Sequence, residues 1–253
     1  MLRAEKISLS VPGRSLYRDL DIELRPGQCW CILGCNGSGK TTLLHALSGL
    51  TRPAAGSIEL DGLALSGLPA KAAARKIGVL LQDESPNFWG TVLEYVLLGR
   101  FPYAHGLGRL HGEDEIAARL ALQAMDMAGH AGRYLNTLSG GERQRVRIAM
   151  VLAQDPDYFF LDEPLQHLDL AHQLAVMEIF RAQARERGKT VVMVLHDTLW
   201  PGRYCDHALL LHDGGRAVGG EASALLTRDE LQTLYRCALH TLETPLGPYF
   251  VPA

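Results

Sequence analysis

The stretch GCNGSGKTT, residues 34–42, limits the fold of this chain more than any other. It follows the apolar run QCWCILG (28–34) and precedes TTLLHALSGL (41–50), whose pattern favours a helix. The pattern G-x-x-x-x-G-K-[ST] between a strand and a helix is typical of a phosphate-binding loop. Its glycines let successive backbone N–H groups turn towards an anion, and the helix N-terminus adds a positive dipole. We therefore predict a phosphate site here, rather than a glycine-rich turn with an incidental lysine.

The side chains of this loop suit the phosphates of a nucleotide. Lys40 can reach the β- and γ-phosphates, and the hydroxyl of Thr41 can ligate Mg²⁺. The residues that we expect to contact the nucleotide are Gly34, Asn36, Gly37, Ser38, Gly39, Lys40, Thr41 and Thr42.

The segment DYFFLDEP (157–164) predicts a buried strand that ends in two acids. Asp162 suits the coordination shell of Mg²⁺, and Glu163 can polarise the water that attacks the γ-phosphate. Two acids at a strand end can also simply cap the following helix. Because a phosphate loop precedes them in the chain, we expect them to be catalytic.

Another predicted strand, TVVMVLHD (190–197), ends at His196 and Asp197. A lone histidine is usually structural, and the chain has ten. The position at a strand end makes His196 the histidine that we expect in the site.

The stretch LSGGE (138–142) places two adjacent glycines beside Ser139. Such a backbone can press closely against a flat, charged group. The serine has no neighbouring histidine to activate it, and no metal-ligand spacing lies nearby. We therefore interpret this stretch as a contact surface whose partner molecule must be found elsewhere.

Short apolar runs bounded by glycine or proline alternate with helical patterns along the chain. This alternation favours an α/β fold with a mostly parallel sheet covered by helices. Near the N-terminus, ISLSV and DIELRPG alternate as the strands of a hairpin do and suggest an antiparallel flap.

The strand signal disappears between about residues 85 and 152. A helical stripe is predicted there, formed by Ile116, Leu120, Ala124 and Met127. We predict one domain, 1–253, in which a core of 1–84 and 153–253 is interrupted by a helical subdomain at 85–152.

Composition excludes several classes of protein. With 47% hydrophobic and 21% charged residues the chain is of ordinary globular type. A net charge of −3 gives no basic face for nucleic acid, so we expect no nucleic-acid partner. The five cysteines form no disulfide pattern. The sequence shows neither a signal-peptide run nor a membrane span of ~18 apolar residues, so we expect any work at a membrane to depend on a partner.

Taken together, these motifs resemble the ATP-binding cassette of ABC transporters over nearly the whole chain. The matching motifs are the loop GCNGSGKTT, the glutamine-loop residue Gln82 in LLQDE, the signature LSGGE, the Walker B strand YFFLDE (158–163), the D-loop Asp169 in QHLD, and the switch histidine His196. The resemblance implies a P-loop NTPase (RecA-like) core with a mostly parallel sheet, an N-terminal antiparallel β flap and an inserted α-helical subdomain. It also implies an ATPase that uses ATP and Mg²⁺ and releases ADP and phosphate.

By this resemblance, ATP lies between two copies of the chain in a head-to-tail dimer. The γ-phosphate held by one copy is then contacted by the signature residues of the other, Ser139, Gly140 and Gly141. The resemblance implies a catalytic set of Glu163, His196, Gln82, Lys40 and Asp169. The implied metal ligands are Thr41, Gln82 and Asp162.

Two positions depart from the family pattern. Such cassettes usually stack adenine on an aromatic residue of the first hairpin, at a place that aligns to Val11; the nearest aromatic, Tyr17, follows about six residues later. Cys35 stands in the phosphate loop where similar proteins more often have proline. Since that position contributes mainly backbone, we expect phosphate binding to persist.

The stretch NFWGTVLEYVLLGRFPYAHGL (87–107) resembles cassettes that serve importers of ferric siderophores, haem or cobalamin. The alternative for its GRFPY part is a generic solvated loop. The resemblance implies a transmembrane permease that contacts the Gln82 to Tyr103 region, and a periplasmic or extracellular binding protein as an indirect partner. It also implies a peripheral location on the cytoplasmic face of the inner membrane. Cassettes with an additional C-terminal regulatory domain would be longer, so we expect a different group.

Other classes with related motifs remain as alternatives. A DNA-repair or chromosome-type (SMC-like) ATPase would carry long coiled coils between the phosphate loop and the signature, whereas this spacing fits a globular segment. A small-molecule kinase would leave the signature and D-loop unexplained. A soluble cassette for cluster assembly or lipoprotein release, or the ATPase of another ABC transporter class, would not need the GRFPY stretch.

Overall fold

The computed structural model describes residues 1–82, 88–104, 110–244 and 247–253. Its central strands form where apolar residues run between turns, and every residue of the strands Cys29–Gly34 and Thr190–Val194 is buried. In chain order the strands are β1 (Leu2–Val11), β2 (Arg14–Leu24), β3 (Cys29–Gly34), β4 (Ala55–Leu60), β5 (Leu63–Ala64), β6 (Ile77–Leu80), β7 (Tyr158–Asp162), β8 (Thr190–Val194), β9 (His207–Leu211), β10 (Ala217–Glu221), β11 (Leu239–Thr244) and β12 (Gly247–Pro252).

The helices alternate with these strands. They are α1 (Lys40–Leu47), α2 (Ala70–Lys76), α3 (Val92–Leu97), α4 (Gly112–Ala124), α5 (Gly140–Gln154), α6 (Leu170–Arg185), α7 (Pro201–Tyr204), α8 (Ala222–Leu225) and α9 (Arg228–Tyr235). Thr91, Ser139 and Thr227 cap α3, α5 and α9, because each hydroxyl accepts a hydrogen bond from the N–H three residues later. In the described part of the chain, no helix combines the length and apolar content needed to cross a membrane.

The backbone divides into two compact units. One consists of Met1–Leu68 and Met177–Ala253, and the other of Pro69–Val176. The predicted boundaries of the helical subdomain, residues 85–152, remain a prediction.

The first unit contains the antiparallel flap that the N-terminal sequence predicts, with strand order β2-β1-β4-β5. A second sheet has β3 at its centre, parallel to β8 on one side and to β9 on the other, while β10 pairs antiparallel with β9. Trp30 lies opposite Val192 and His207 in this register. Because β3 and β8 are parallel, the phosphate loop after Gly34 and the segment after Val194 lie at the same edge of the sheet.

The second unit pairs β6 with β7 in parallel, with Ile77 opposite Tyr158. Helix α5 is attached to this pair by Gln154, whose side-chain amide donates to the carbonyls of Ala74 and Ile77 at 2.6 and 2.8 Å. Among the described residues of 85–152, strand-type pairing is limited to one bridge, between Thr91 and Tyr134. The described part of the predicted insert is therefore helical.

The apolar stripe predicted in this unit was placed on the wrong face. Helix α4 forms, but Ile116 and Leu120 are 59% and 60% exposed. Met127, the last member of the predicted stripe, is buried but lies beyond the end of the helix. The buried face of α4 carries instead the small residue Ala118 and the larger Leu122, neither of which exposes any surface. The stripe failed because two faces of α4 carry apolar residues, and periodicity alone does not say which of them packs.

Candidate active site

The phosphate loop of the first unit connects the buried end of β3 to the start of α1. Its lysine is buried, and Nζ of Lys40 donates to the carbonyls of Gly34 at 2.8 Å and Cys35 at 3.1 Å. The amide of Ser38 donates to the same Cys35 carbonyl at 3.1 Å, which closes the turn. Asn36 and Gly37, at the tip, are exposed. The loop thus wraps around the lysine ammonium and presents its tip to solvent.

Gly39 is the residue that lets the loop enter the helix. Its φ of 94° is left-handed, and a Cβ there would lie 2.9 Å from Cδ1 of Leu16. Any other residue would be strained and would crowd this leucine. Gly39 also has no side chain to cap the first turn of α1. An anion can take the place of that cap, because the N–H groups at a helix start point outwards along the axis.

The first hairpin supports the loop from below. The hydroxyl of Tyr17 donates to the carbonyl of Ser38, and burial raises the pKa of this phenol to about 12. Tyr17 is 2% exposed, so its ring does not offer an open face to a base. Nη1 of Arg14, an exposed residue, donates to the carbonyl of Gly37 at 3.2 Å. Tyr17, the aromatic residue nearest in sequence to Val11, therefore has a structural role in supporting the loop.

Cys35 links the loop to the C-terminal part of the same unit. Its thiol, which is half-buried, donates to the carbonyl of Leu234 at 3.1 Å, at the end of α9. Cys29 and Cys31 on β3 are buried. Cys35 is therefore the thiol of this strand and loop that lies nearest to solvent.

His196 follows β8 and is exposed at the edge of the sheet where the loop begins. The next residue, Asp197, accepts hydrogen bonds from the amides of Leu199 and Trp200 at 3.0 and 3.4 Å. This local turn holds the segment after β8 in place. The sequence prediction that His196 belongs to the site stays a prediction.

The second unit carries the two acids at the end of β7. Asp162 is fully buried, whereas Glu163 is half-buried and has a left-handed φ of 50°. Oε1 of Glu163 accepts a hydrogen bond from Nε2 of Gln82 at 2.8 Å. The structure thus brings together two residues that the sequence assigned to catalysis from positions 81 residues apart.

The signature forms the N-terminus of α5. Ser139 and Glu142 make a capping box: the serine amide and hydroxyl donate to Oε2 of Glu142 at 2.8 and 2.7 Å, and the glutamate amide donates back to Oγ. These bonds from Ser139 hold the pKa of Glu142 below its usual value. Ser139 and Gly140 are exposed. The serine therefore has a structural role within its own chain and still faces outwards.

The signature glycines pack against the D-loop of the same unit. A Cβ on Gly141 would lie 2.9 Å from the carbonyl oxygen of His167, so only glycine allows this approach. Further along the D-loop, Asp169 accepts hydrogen bonds from the amide of His172 at 2.9 Å and from its Nδ1 at 2.8 Å. These bonds lower the pKa of Asp169. Asp169 thus caps α6, and its predicted coupling role stays a prediction.

Sequence reasoning missed Gln144, which is 4% exposed. Its side-chain amide donates to the carbonyls of Glu163 at 3.4 Å and Pro164 at 3.0 Å. The signal available in the sequence was a polar residue one helical turn before the apolar residue Ile148 of α5, which is buried.

Comparison with known proteins identifies the family. A family model described as "ABC transporter" matches residues 17–166. The ferric enterobactin transport ATP-binding protein FepC of Escherichia coli K12 is 36% identical over 99% of this chain and 93% of its own length. The hemin import ATP-binding protein HmuV of Gloeobacter violaceus is 41% identical over 92% of this chain and 86% of its own.

Solved structures agree with these relatives. A transporter described as of metal-chelate type, in an inward-facing conformation, aligns with a TM-score of 0.85 at 29% identity, covering 100% of this chain and 97% of the other. The dimeric cassette MJ0796, solved in a post-hydrolysis state with ADP and Pi, aligns with a TM-score of 0.77 at 27% identity over 88% and 99% of the two chains. With the loop, the paired Glu163 and Gln82 and the capped signature in place, these matches establish that the chain belongs to the ABC transporter family, as one of its ATP-hydrolysing cassettes.

Proposed function

We propose that this chain powers the import of a ferric siderophore or haem through a transmembrane permease. The observation that carries the catalytic part is the hydrogen bond between Gln82 and Glu163 at the end of a buried strand. The substrate class is supported by the named relatives, which serve ferric enterobactin and hemin. A binding protein outside the membrane would deliver the substrate to the permease, and nucleic acid would have no part.

In this proposal the loop residues bind ATP and Glu163 acts on water. The amides from Asn36 to Thr42 face the phosphates, and Lys40 moves from the loop carbonyls towards the γ-phosphate. Glu163 accepts a proton from the attacking water, whose oxygen forms a bond to phosphorus as the bond to ADP breaks. Gln82 orients the carboxylate through its amide N–H. His196 assists at the γ-phosphate.

The proposed donors fit Mg²⁺ by their chemistry. Mg²⁺ bound to nucleotide phosphates usually keeps few protein ligands, all of them oxygen atoms. Thr41 offers a hydroxyl and Asp162 a carboxylate. Since the amide nitrogen of Gln82 is directed to Glu163, its carbonyl oxygen is the atom left for a metal. Among the described residues no cluster of three or more histidine, cysteine, aspartate or glutamate side chains could hold a metal. In this proposal the ion would be held jointly by these donors and ATP. Such an ion would neutralise charge on the phosphates.

A second copy of the chain completes each site in this proposal. Ser139 and Gly140 are exposed at the start of α5, a helix of 15 residues whose dipole favours an anion. Their partner would be the γ-phosphate on the other copy, in a head-to-tail dimer, and Asp169 would couple the two sites. Loss of the γ-phosphate would then open the interface.

The permease would contact the second unit at the region from Gln82 to Tyr103, of which residues 83–87 lie outside the described residues. Trp89 and Phe101 are 87% and 52% exposed there. Large exposed aromatic side chains are typical anchors of protein interfaces. With this partner the chain would lie on the cytoplasmic face of the inner membrane.

The test is transport by the intact complex. The tagged chain is purified together with the membrane protein that copurifies with it, and the complex is placed in liposomes. ATP is supplied on the side of the membrane that carries the chain, and a ferric siderophore or haem on the opposite side. We expect ATP-dependent uptake that the Lys40→Ala complex lacks. ATP hydrolysis stimulated by DNA, with no copurifying membrane protein, would contradict the proposal and favour a repair-type ATPase.

A further inference from the structure

Four residues of the second unit form a closed ring of hydrogen bonds at the ends of β6 and β7. Nε2 of Gln82 donates to Oε1 of Glu163 at 2.8 Å, and the backbone carbonyl of Glu163 accepts from Nε2 of Gln144 at 3.4 Å. Oε1 of Gln144 accepts from Nη1 of Arg147 at 2.9 Å. The ring closes where the same Nη1 donates to the carbonyl of Gln82 at 3.4 Å.

Arg147 is the member of this ring that joins Gln144 to the backbone that follows β6. Its Nη2 also donates to the carbonyl of Leu81, so the guanidinium collects the two carbonyls that follow β6. A planar guanidinium presents several N–H groups in fixed directions and can bridge acceptors on different segments. A lysine ammonium is a point charge and cannot hold the same geometry.

The backbone at Glu163 needs such support. Its φ of 50° is left-handed, which a residue with a long side chain rarely adopts without compensation. Gln144 supplies compensation by holding the carbonyls of Glu163 and of Pro164, the latter at 3.0 Å. Gln144 is 4% exposed, so little solvent can replace these bonds.

Arg147 and Gln144 lie three residues apart on α5, the helix that begins at the signature residue Ser139. Residues at this spacing share one face of a helix. A displacement of the signature helix therefore acts on the Gln82 segment through Arg147 and on Glu163 through Gln144.

We propose that Arg147 is a positioning residue that holds Gln82 and Glu163 in their active arrangement and makes them follow the signature helix. This inference rests on the proposed function, in which Glu163 acts on the attacking water. Arg147 would not touch ATP; it would set the position of the group that does the chemistry.

The test compares Arg147→Met with Arg119→Met, measured in the complex with its permease. Arg119 is an exposed arginine of α4 that pairs with Glu115, so its removal controls for the loss of a cation from the same unit. We expect Arg147→Met to lower kcat about 10- to 100-fold, the effect of losing hydrogen bonds to a charged group. The Kd for ATP should stay within about threefold, since the loop is untouched. The kcat of Arg147→Lys should lie between that of Arg147→Met and that of the parent.

A double variant separates positioning from general damage. If Arg147 acts through Glu163, adding Arg147→Met to Glu163→Gln should not lower the residual rate further. Losses that multiply, a kcat equal to that of Arg119→Met, or an equal change in Kd and kcat would each overturn the inference. Should Arg147→Met fail to fold, Arg147→Lys carries the test, and an unchanged kcat in that variant overturns it.

The same set of variants keeps the two proposals apart. Near-parental hydrolysis by Glu163→Gln alone would remove the proposed function and this inference with it. An inactive Glu163→Gln beside an Arg147→Met that matches the control would remove this inference only.

Discussion

The side-chain amide of Gln82 donates a hydrogen bond to Oε1 of Glu163 at 2.8 Å. Gln82 follows β6 and Glu163 follows β7, and these strands pair in parallel. Since both side chains leave the same edge of the sheet, the bond orients the carboxylate with respect to the segment proposed to contact the permease. A movement of that segment would therefore be felt at the carboxylate.

Glu163→Gln should bind ATP and hydrolyse it at a rate about 10²- to 10⁴-fold lower, because an amide cannot accept the proton of the attacking water. The ATP-bound dimer should accumulate. ATPase assays and size-exclusion chromatography with ATP and Mg²⁺ measure the two effects. Glu115→Gln, an exposed residue of α4, is the control and should behave as the parent. Near-parental hydrolysis by Glu163→Gln would contradict the assignment.

Lys40→Ala should weaken ATP binding and abolish hydrolysis. The substitution removes the ammonium that the loop carbonyls of Gly34 and Cys35 surround, and with it a charge-assisted bond to phosphate worth about 1.5–3 kcal/mol. Calorimetric titration with ATP measures the change in Kd. Lys71→Ala, which removes a lysine bound to the carbonyl of Ala104, is the matched control. Undiminished affinity in Lys40→Ala would show that the loop does not hold the phosphates as proposed.

A mixed dimer tests whether the signature acts on the other chain. Ser139→Arg should block closure around the partner's γ-phosphate, because Ser139 is exposed and the added side chain is large and charged. The Ser139→Arg chain is combined with a Lys40→Ala chain in one dimer. If the signature acts in trans, Lys40 of the first chain and Ser139 of the second form one intact site. If it acts in cis, each chain spoils its own site and no intact site remains. We expect the mixed dimer to give a burst of ATP cleavage larger than that of either mutant homodimer.

Single-turnover hydrolysis by the purified mixed dimer, with the permease present, is the measurement. Each mutant homodimer serves as a control. A single turnover is measured because coupling between the two sites can abolish steady-state hydrolysis even when one site is intact. A mixed dimer that closes around ATP and cleaves none would count against the trans arrangement.

Tyr17→Phe should lower the free energy of unfolding by roughly 1–3 kcal/mol, because the carbonyl of Ser38 in the phosphate loop loses its buried hydrogen-bond donor. The pKa of Tyr17 is raised to about 12 from an ordinary value near 10. The neutral phenol therefore contributes stability that is complete below about pH 10 and is lost as pH rises through about 12.

The free energy of unfolding, measured by denaturant titration between about pH 9 and 12, should fall less steeply with pH in Tyr17→Phe than in the parent. Tyr134→Phe, at a residue that is 61% exposed, is the control. Identical slopes in all three proteins would show that the neutral Tyr17 hydroxyl does not contribute this pH-dependent stability.

ATP should protect Cys35 from alkylation, because the nucleotide would cover the loop in which its half-buried thiol lies. Mass spectrometry of the modified protein with and without ATP measures this. Cys237 is exposed and outside the loop, so its modification should not respond to ATP. Equal protection of both thiols, or of neither, would argue against the inferred position of the nucleotide.

The sequence by itself determined the α/β alternation of strands and helices and the motifs whose residues are proposed to carry the chemistry. The phosphate loop, the acids after β7 and the signature could be recognised because each depends on backbone freedom at glycine or on short apolar runs, and these are properties of neighbouring residues. The helical nature of the described part of 85–152 followed from the missing strand pattern for the same reason.

Only the tertiary structure decided which side chains meet. Tyr17 binds the Ser38 carbonyl from 21 positions away, and Arg147 reaches the Leu81 carbonyl across 66. The exposed face of Ile116 and Leu120 was likewise decided by packing and not by period. The physical reason is that a local pattern records the propensities of adjacent residues, whereas these contacts depend on how distant segments fill space against one another.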